Sequence, residues 1–296
     1  MIRLVALGTS GSMPSPKRLP SCYALKSAQT FLLDCCEGAQ TQMMKYGISY
    51  GKVRAIFLSH MHSDHFLGLF GLVASLNMAG RAEPLLITGP KGTKEILDQV
   101  FSVRALAPLF PIVIKEVGEE EVYKDKFVEV RSFKVKHGTP AVGYVVQQPA
   151  VRKFDEKKAK GLGIKGEMFT QIQKEGSVSI NGKTIKLEDV SRLETRNKIV
   201  YTGDTVPCDE VVNASRGADL LVHDAAFLQE HEEMAIDKKH STAAGAAQDA
   251  KKAGVKKLLL THISNRYDDR KPLLQEARAI FPATELADEG MELYFK

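Results

Sequence analysis

The chain has 296 residues, of which 44% are hydrophobic and 26% charged, and its formal net charge is +5. A chain of this length can bury one large core or two smaller ones without help from disulfide bonds. No apolar run approaches the ~20 residues that span a bilayer, and the first residues are too quickly interrupted for a secretory signal. We therefore expect a globular protein without a membrane segment. The mild positive charge permits a nucleic-acid partner without requiring one.

The four cysteines indicate a reducing compartment. They lie at positions 22, 35, 36 and 208, and the adjacent Cys35 and Cys36 cannot easily bridge each other. No Cys-x-x-Cys pair is present, so the pattern predicts no disulfide framework. A cytoplasmic location is the simplest expectation.

Short apolar, β-branched runs alternate with helical patterns along the chain. A first strand is predicted to end in a turn at Gly8, and later strands are predicted at Val53–Leu58, Leu85–Thr88, Phe127–Val135, Lys198–Tyr201, Leu220–Val222 and Lys257–Leu260. Helices are predicted at Thr93–Phe101 and at Ser241–Ala253, the second opened by the N-cap residues Ser241 and Thr242 and closed by Gly254. This alternation predicts α/β or α+β layers rather than an all-β barrel.

A histidine-rich motif, Ser59-His60-Met61-His62-Ser63-Asp64-His65, directly follows the predicted strand Val53–Leu58. Imidazole and carboxylate groups together suit zinc, manganese or iron, and the lack of thiolates argues against a closed structural zinc site. In a turn that leaves a strand, His60 and His62 can converge on one metal ion while Asp64 and His65 turn toward a second. The motif therefore predicts a metal centre at the end of this strand.

Three further ligand-type residues each follow a predicted strand. His137 comes after the run Phe133–Lys136, Asp204 after Ile199–Gly203, and His262 after Leu258–Thr261. The ends of buried strands are where layered α/β folds place their sites. Asp204 is a suitable bridge between two ions, and a two-metal site of this kind fits attack on a phosphodiester.

His240 is the candidate proton donor for the leaving oxygen. It directly precedes the helix that begins at Ser241, so the helix can fix its backbone. A carboxylate such as Asp224, which follows the strand Leu220–Val222, could orient the ring and raise its pKa. The alternative interpretation is a surface histidine in the charged stretch Asp237–His240.

Residues 151–174 differ in composition from the rest of the chain. They contain seven Lys or Arg against three Asp or Glu, a difference that accounts for most of the net charge. Three glycines, at positions 161, 163 and 166, favour a protruding arm over a packed element. A solvated surface helix is the alternative.

Taken together, these motifs resemble a known superfamily. His60-x-His62-x-Asp64-His65, followed by His137, Asp204 and His262, resembles the metallo-β-lactamase superfamily. The surrounding sequence is more specific, and its similarity to the ribonuclease Z family lies in Leu7–Ser10, Leu33–Gln40, Gly89–Gly92, Gly203–Thr205, His240–Thr242 and Thr261–Tyr267. The resemblance extends over essentially the whole chain.

The resemblance implies an α+β fold, namely the αββα sandwich of the metallo-β-lactamase type with a protruding basic arm. A single domain would cover residues 1–296, with a tRNA-binding arm inserted at about 151–176. The implied cofactors are two zinc ions per subunit, with manganese or cobalt as substitutes. One ion would be held by His60, His62, His137 and Asp204, and the other by Asp64, His65, Asp204 and His262.

The resemblance also implies precursor tRNA as the substrate. Asp64 would assist the nucleophile, His240 would protonate the leaving 3′ oxygen, and Asp224 would orient His240. The family removes the 3′ trailer by cutting after the discriminator base, which leaves a 3′-hydroxyl. Its members are commonly homodimers in which one subunit's arm grips the tRNA bound at the other subunit's active site. The candidate substrate-binding residues are Arg18, Lys153, Lys157, Lys158 and Arg266.

Several sequence features depart from the family pattern, and two of them bear on the proton donor and the arm. The usual His-Glu-Ala is His223-Asp224-Ala225 here, and the arm has no Gly-Pro motif. Two other functions therefore stay open. One is a small-molecule phosphodiesterase or another hydrolase with the same metal ligands, because a fold does not choose its substrate. The other is a non-catalytic, metal-stabilised RNA-binding protein. The basic arm and His240 favour the endonuclease.

Overall fold

The computed structural model describes residues 1–295, which form two compact units. The smaller unit is Gln148–Arg196, and the rest of the described chain forms the larger one. No helix among the described residues is long and apolar enough to cross a membrane. All four cysteines are buried and free.

Strands occur along the whole of the described chain. In order they are β1 (Ile2–Gly8), β2 (Cys22–Lys26), β3 (Thr30–Leu33), β4 (Val53–Phe57), β5 (Leu85–Gly89), β6 (Ile112–Glu116), β7 (Glu121–Lys124), β8 (Glu129–Lys134), β9 (Val142–Gln147), β10 (Val151–Phe154), β11 (Ser177–Ile180), β12 (Lys183–Lys186), β13 (Ser191–Glu194), β14 (Lys198–Tyr201), β15 (Leu220–Asp224), β16 (Leu258–Thr261), β17 (Thr284–Leu286) and β18 (Glu292–Phe295).

The helices are mostly short. In order they are α1 (Ala39–Lys45), α2 (Ser63–Phe66), α3 (Gly68–Met78), α4 (Thr93–Phe101), α5 (Glu156–Gly161), α6 (Met168–Glu175), α7 (Asp209–Ser215), α8 (Glu232–Asp237), α9 (Ala243–Ala253) and α10 (Lys271–Ile280). Single 3₁₀ turns lie at Tyr50–Lys52, Leu187–Asp189 and Gln229–His231.

Two seven-stranded sheets form the framework of the larger unit. The first is ordered β18-β1-β2-β3-β4-β5-β6, and the second β17-β16-β15-β14-β9-β8-β7. In the first sheet β3 to β6 run parallel to one another, and in the second β14 to β17 do. Parallel neighbours end at the same edge of a sheet, so residues that follow β14, β15 and β16 are brought together.

The alternation of side chains along each strand produces three apolar layers in the larger unit. Residues such as Phe31 and Phe57 of the first sheet meet Tyr144 and Tyr201 of the second in a central core. The other face of the first sheet packs against α1, α3 and α4, and that of the second against α7, α9 and α10. The result is the αββα sandwich that the resemblance implies.

The smaller unit has its own apolar core. It contains two two-stranded antiparallel sheets, β10 with β13 and β11 with β12, and α5 and α6 lie between β10 and β11 in the chain. Ala159, Ile164 and Ile172 are fully buried together with Val190. Gln148–Arg196 therefore includes the predicted arm but continues about twenty residues beyond its predicted end. Although it contains several glycines, it is a packed unit with a buried core.

Local sequence signals locate several elements well. Helix α4 has the predicted bounds, and α9 begins after Thr242, whose hydroxyl accepts a hydrogen bond from the Gly245 amide at 3.0 Å. Gly254 ends α9 in the left-handed conformation, where glycine lacks the steric cost of a Cβ. The strand predicted at Phe127–Val135 is shorter, Glu129–Lys134, because Asp125 accepts the Phe127 and Val128 amides in a turn.

Candidate active site

The predicted ligands meet where strands of both sheets end. The motif His60–His65 follows β4 of the first sheet, and His62 lies at the N-terminus of α2. From the second sheet, Asp204 and His262 come after the parallel strands β14 and β16, and His137 comes after β8. Gly203 allows the segment after β14 to lie close to Ser59, which follows β4. It has a φ of +60°, and a Cβ there would lie 2.4 Å from the Cβ of Ser59.

One group of ligand atoms contains His60, His62, His137 and Asp204, whose atoms lie within 4.8 Å of one another. The Nδ1 atom of His62 is 3.0 Å from Nε2 of His60 and 3.2 Å from Nε2 of His137. Nε2 of His60 is 3.6 Å from Oδ2 of Asp204. These four residues are the set that the resemblance implies for the first ion.

A second group contains Asp64, His65 and His262, again with ligand atoms within 4.8 Å of one another. The Nε2 atoms of His65 and His262 are 3.4 Å apart, and each lies 3.5 Å from Oδ2 of Asp64. Both also lie 3.3 Å from Oδ2 of Asp204. Asp204 therefore stands between the two groups, where a bridging ligand is expected.

Both groups have the chemistry and spacing of a metal site. Two ligands at ~2.0–2.1 Å from a tetrahedral zinc ion are about 3.4 Å apart, which matches the separations above. Oδ1 of Asp204 is buried and has no hydrogen-bond partner among residues 1–295. Such an unsatisfied carboxylate oxygen is costly unless a cation neutralises it. The residues present therefore fit two zinc ions.

The protonation of the ligands also suits a cation. Burial, with a smaller contribution from the charge of His65, lowers the pKa of His60 well below its ordinary value, so its ring is neutral. Burial works against ionisation of Asp204, but the charges of His262, His65 and His60 outweigh it and hold its pKa well below the usual range. For Asp64, too, burial is opposed by a hydrogen bond from His262 and the charge of His65, which lower its pKa to about 2.

Hydrogen bonds to the far side of two of these rings, those of His60 and His137, fix their tautomers. The Ser59 hydroxyl donates to Asp34, so it accepts from Nδ1 of His60 at 3.0 Å. Nδ1 of His137 donates to the Lys239 carbonyl at 2.9 Å. In both rings Nε2 then has a free lone pair that points toward the other ligands, as metal binding requires.

Asp34 is a buried carboxylate that sequence reasoning left without a role, although its motif was noted. Its Oδ2 accepts hydrogen bonds from Nδ1 of His65 at 2.7 Å, from the Ser59 hydroxyl at 2.8 Å and from the Tyr201 hydroxyl at 2.6 Å. Oδ1 accepts from the Ser59 amide at 2.6 Å. Burial opposes a charge on His65, but Asp204 and Asp34 outweigh it and raise its pKa well above the ordinary value. An aspartate directly after a buried strand was the available signal.

His240 and Asp224 form a second pair beside these groups. Nδ1 of His240 lies 2.9 Å from Oδ2 of Asp224, and its ring stacks on that of His262 with centroids 5.0 Å apart. Asp224 is itself held by the amides of Thr205 and Ala226 at 3.1 and 3.0 Å. Burial would lower the pKa of His240, but the Asp224 carboxylate outweighs it and raises this pKa to about 9.

The backbone near the site holds two residues in an unusual conformation. His262 and Asp34 have φ values of +58° and +57°, in the left-handed region that non-glycine residues rarely adopt. A Cβ on Gly11 would lie 2.8 Å from the His262 ring, so only glycine fits beneath that ring. Such local strain costs ~1–3 kcal/mol and is characteristic of functional sites.

The predicted substrate-binding residues lie in different environments. Arg18 donates to the Ile263 carbonyl at 3.3 Å and to the Asn265 side chain at 3.1 Å, so it braces the loop that carries His262. Arg266 is exposed and lies over the Phe227 ring. In the smaller unit, Nζ of Lys153 pairs with Glu194 at 2.7 Å, whereas Lys157 and Lys158 are exposed on α5.

Comparison with other proteins identifies relatives over nearly the whole chain. Residues 2–269 match the family model described as Anti-Pycsar protein Apyc1. A protein of Methanosarcina mazei named ribonuclease Z is 41% identical over 99% of this chain and 98% of its own length. One of Ignicoccus hospitalis with the same name is 40% identical over 97% and 96%.

Solved structures agree with the fold. Human tRNase Z, short form, superposes with a TM-score of 0.73 at 25% identity and covers 99% of both chains. The metallo-β-lactamase fold protein YhfI of Bacillus subtilis gives a TM-score of 0.72 at 19% identity, over 99% of this chain and 98% of its own. The chain therefore has the predicted metallo-β-lactamase fold, and it belongs to the ribonuclease Z family and to the family described as Anti-Pycsar protein Apyc1.

Proposed function

We propose that this protein is a metal-dependent endoribonuclease that removes the 3′ trailer from precursor tRNA. It cuts after the discriminator base and leaves a 3′-hydroxyl on the tRNA. The arrangement of the site supports this most directly: two adjoining ligand groups lie beside His240, which is oriented by the Asp224 carboxylate. The similarity agrees, since 99% of this chain aligns with a ribonuclease Z at 41% identity.

Two zinc ions would be held by the residues of the two ligand groups. His60, His62 and His137 would hold the first, Asp64, His65 and His262 the second, and Asp204 would bridge them. When bound, divalent cations activate water at neutral pH and stabilise the charge that develops on a phosphate. Manganese or cobalt suits the same nitrogen and oxygen donors.

Asp64 is suited to orient the attacking water. Its carboxylate is ionised at neutral pH, and Oδ2 accepts a hydrogen bond from the Ser12 amide at 2.9 Å. His65 and His262 also face Oδ2, so Oδ1 can accept a hydrogen bond from the water. The loop that carries Ser12 thus fixes the carboxylate in the direction that general-base assistance needs.

His240 is suited to protonate the leaving group. Its Nδ1 donates to Asp224, which leaves Nε2–H as the transferable proton, and its side chain is 13% exposed. As the attacking water bonds to phosphorus it gives one proton to Asp64, the bond from phosphorus to the 3′ oxygen breaks, and that oxygen takes the proton from Nε2. The tRNA leaves with a 3′-hydroxyl, the trailer keeps the phosphate, and His240 regains its proton from water.

The smaller unit is our candidate for tRNA contact outside the active site. Residues 148–196 contain eleven Lys or Arg against seven Asp or Glu, so this unit carries most of the chain's net charge of +5. Lys157, Lys158 and Arg192 are exposed on its surface. Basic side chains that contact phosphates release counterions, which makes binding steeply salt-dependent.

We also propose a homodimer. Asn77 at the end of α3 donates to the Ala107 carbonyl at 3.0 Å and accepts from the Leu109 amide at 2.8 Å, which ties the 102–110 segment to that helix. Next to this tie, Met78 is 91% and Leu109 80% exposed, and Val103 and Leu106 add to the apolar surface. A second copy of the chain would remove this surface from water.

A cytoplasmic location fits the proposal, because the free cysteines suit a reducing compartment and the proposed substrate is made inside the cell.

The deciding experiment is cleavage of an end-labelled precursor tRNA by purified protein, with and without Zn²⁺ or Mn²⁺, with the product's 3′ end mapped. We expect one metal-dependent cut beside the discriminator base. Hydrolysis of bis(p-nitrophenyl) phosphate without any RNA cleavage would instead identify a small-molecule phosphodiesterase. A small-molecule phosphodiesterase would not need the basic smaller unit to bind its substrate.

A further inference from the structure

The side chain of Phe227 has no part in the chemistry above, yet its ring lies near the proposed proton donor His240 and the candidate substrate-binding residue Arg266. Phe227 is 4% exposed and packs in a small apolar cluster with Ala226, Ala235 and Met234. The ring centroid lies 6.2 Å from that of His240.

The backbone of Phe227 holds the segment that carries His240. Its carbonyl accepts from the Ala243 amide at 2.8 Å, and its amide donates to the Ser241 carbonyl at 3.3 Å. These are main-chain bonds, so a side-chain replacement keeps them. The effect of the ring can therefore be measured separately from that of the backbone.

The Phe227 ring also supports a cation. The guanidinium carbon of Arg266 lies 5.1 Å from the ring centroid. Arg266 is exposed, and no ion pair with a carboxylate holds it among residues 1–295. A guanidinium over an aromatic ring uses its flat face for the contact, which leaves its N–H edge free to bind phosphate oxygens.

We propose that Phe227 is a positioning residue whose ring holds the Arg266 guanidinium beside His240, where it binds a phosphate oxygen of the RNA on the side of the leaving 3′ oxygen. This inference rests on the proposed endonuclease function, because it needs a polynucleotide with a phosphate next to the scissile one. A guanidinium that is already held loses less conformational freedom when the phosphate binds, so the ring contributes to substrate affinity rather than to the chemical step.

A double-mutant cycle on zinc-loaded protein tests this coupling with precursor tRNA as substrate. Phe227→Met keeps an apolar side chain of similar size but removes the aromatic face. We expect it to raise KM roughly two- to fivefold, the worth of an exposed cation–π contact, with kcat within twofold. Arg266→Ala should raise KM further, and adding Phe227→Met to it should cause no additional loss.

Two kinetic outcomes would overturn the proposal. If the effects of the two substitutions multiply, the ring does not act through Arg266. If Phe227→Met lowers kcat and leaves KM unchanged, the ring supports His240 instead. Phe127→Met is the matched control, since Phe127 lies under Lys126 at 5.0 Å outside the active site. It should leave KM unchanged.

NMR of zinc-loaded protein with ¹⁵N-labelled arginine tests the positioning without any cleavage. The Arg266 Nε–Hε signal, identified by its loss in Arg266→Ala, should be shifted by the ring current and should move to the free-arginine position in Phe227→Met. A wild-type signal already at that position would refute the positioning even if tRNA is cleaved. A shifted signal in a protein that cleaves no precursor would refute the proposed function and the RNA role of Arg266, but not the contact itself.

Discussion

Replacement of Asp34 by Asn should weaken the second metal group more than the first, because His65 bonds Asp34 directly and His60 only through the Ser59 hydroxyl. Asp34 is fully buried, and its Oδ2 accepts from three donors, those of His65, Ser59 and Tyr201. The amide oxygen of Asn can keep the bond from the Ser59 amide, so its NH₂ group then faces all three donors. Nδ1 of His65 can accept from that group only if its proton moves to Nε2, the atom that faces His262.

The magnitude follows from the bonds lost. Burial and the Asp34 carboxylate raise the pKa of Tyr201 well above its ordinary value, so its hydroxyl remains a donor and loses its acceptor. One or two unsatisfied buried donors should lower the free energy of unfolding by about 2–4 kcal/mol. Loss of the carboxylate behind a histidine ligand typically weakens metal binding 10–100-fold.

Titration with Zn²⁺ against a chromophoric chelator, together with urea unfolding of the metal-free protein, measures both effects. We expect a strong loss of affinity at the site that contains His65 and a smaller loss at the site that contains His60. Asp125→Asn is the matched control: Asp125 also accepts from a tyrosine hydroxyl, that of Tyr123 at 3.1 Å, and from a backbone amide, but it touches no ligand. Two sites of wild-type affinity in Asp34→Asn would refute the reasoning.

Four other perturbations give distinct results. Asp224→Asn removes the charge that raises the pKa of His240 to about 9. Activity needs the protonated ring and is lost as pH rises through this pKa, so the high-pH limb of the kcat profile should move to lower pH. A limb that does not move would contradict the role of His240. Lys157→Glu with Lys158→Glu should raise KM for precursor tRNA and reduce the slope of log KM against log salt by about 0.9 per lost phosphate contact, while bis(p-nitrophenyl) phosphate hydrolysis stays constant. Gly203→Ala should lower the free energy of unfolding more than Gly217→Ala in urea titrations. Both glycines have a positive φ, +60° and +63°, but an added Cβ meets Ser59 only at position 203. Equal losses would mean that the close approach of Gly203 to Ser59 is unimportant. Leu109→Asp should shift the mass measured by light scattering from dimer to monomer, whereas Tyr294→Asp, at a residue 58% exposed on the edge strand β18, should not.

The sequence by itself determined the local elements and the ligand types. Thr93–Phe101, the Thr242 cap and the Gly254 stop are set by contacts within a few residues, so their pattern is visible in the sequence. The motif from His60 to His65 shows its chemistry in the same way, because four ligand-type residues, three histidines and one aspartate, occur within six positions after a strand.

Only the tertiary structure decided which residues support these ligands. The partners of Asp34 come from the turn after β4, from α2 and from β14, so no spacing in the sequence connects them. The bracing role of Arg18 depends on the Ile263 carbonyl, 245 residues away. The smaller unit extends to Arg196 because β13 returns to pair with β10 and buries Val190 with Ile164 and Ile172. Such contacts depend on where distant segments meet, and that is fixed by the packing of the whole sheet rather than by local sequence.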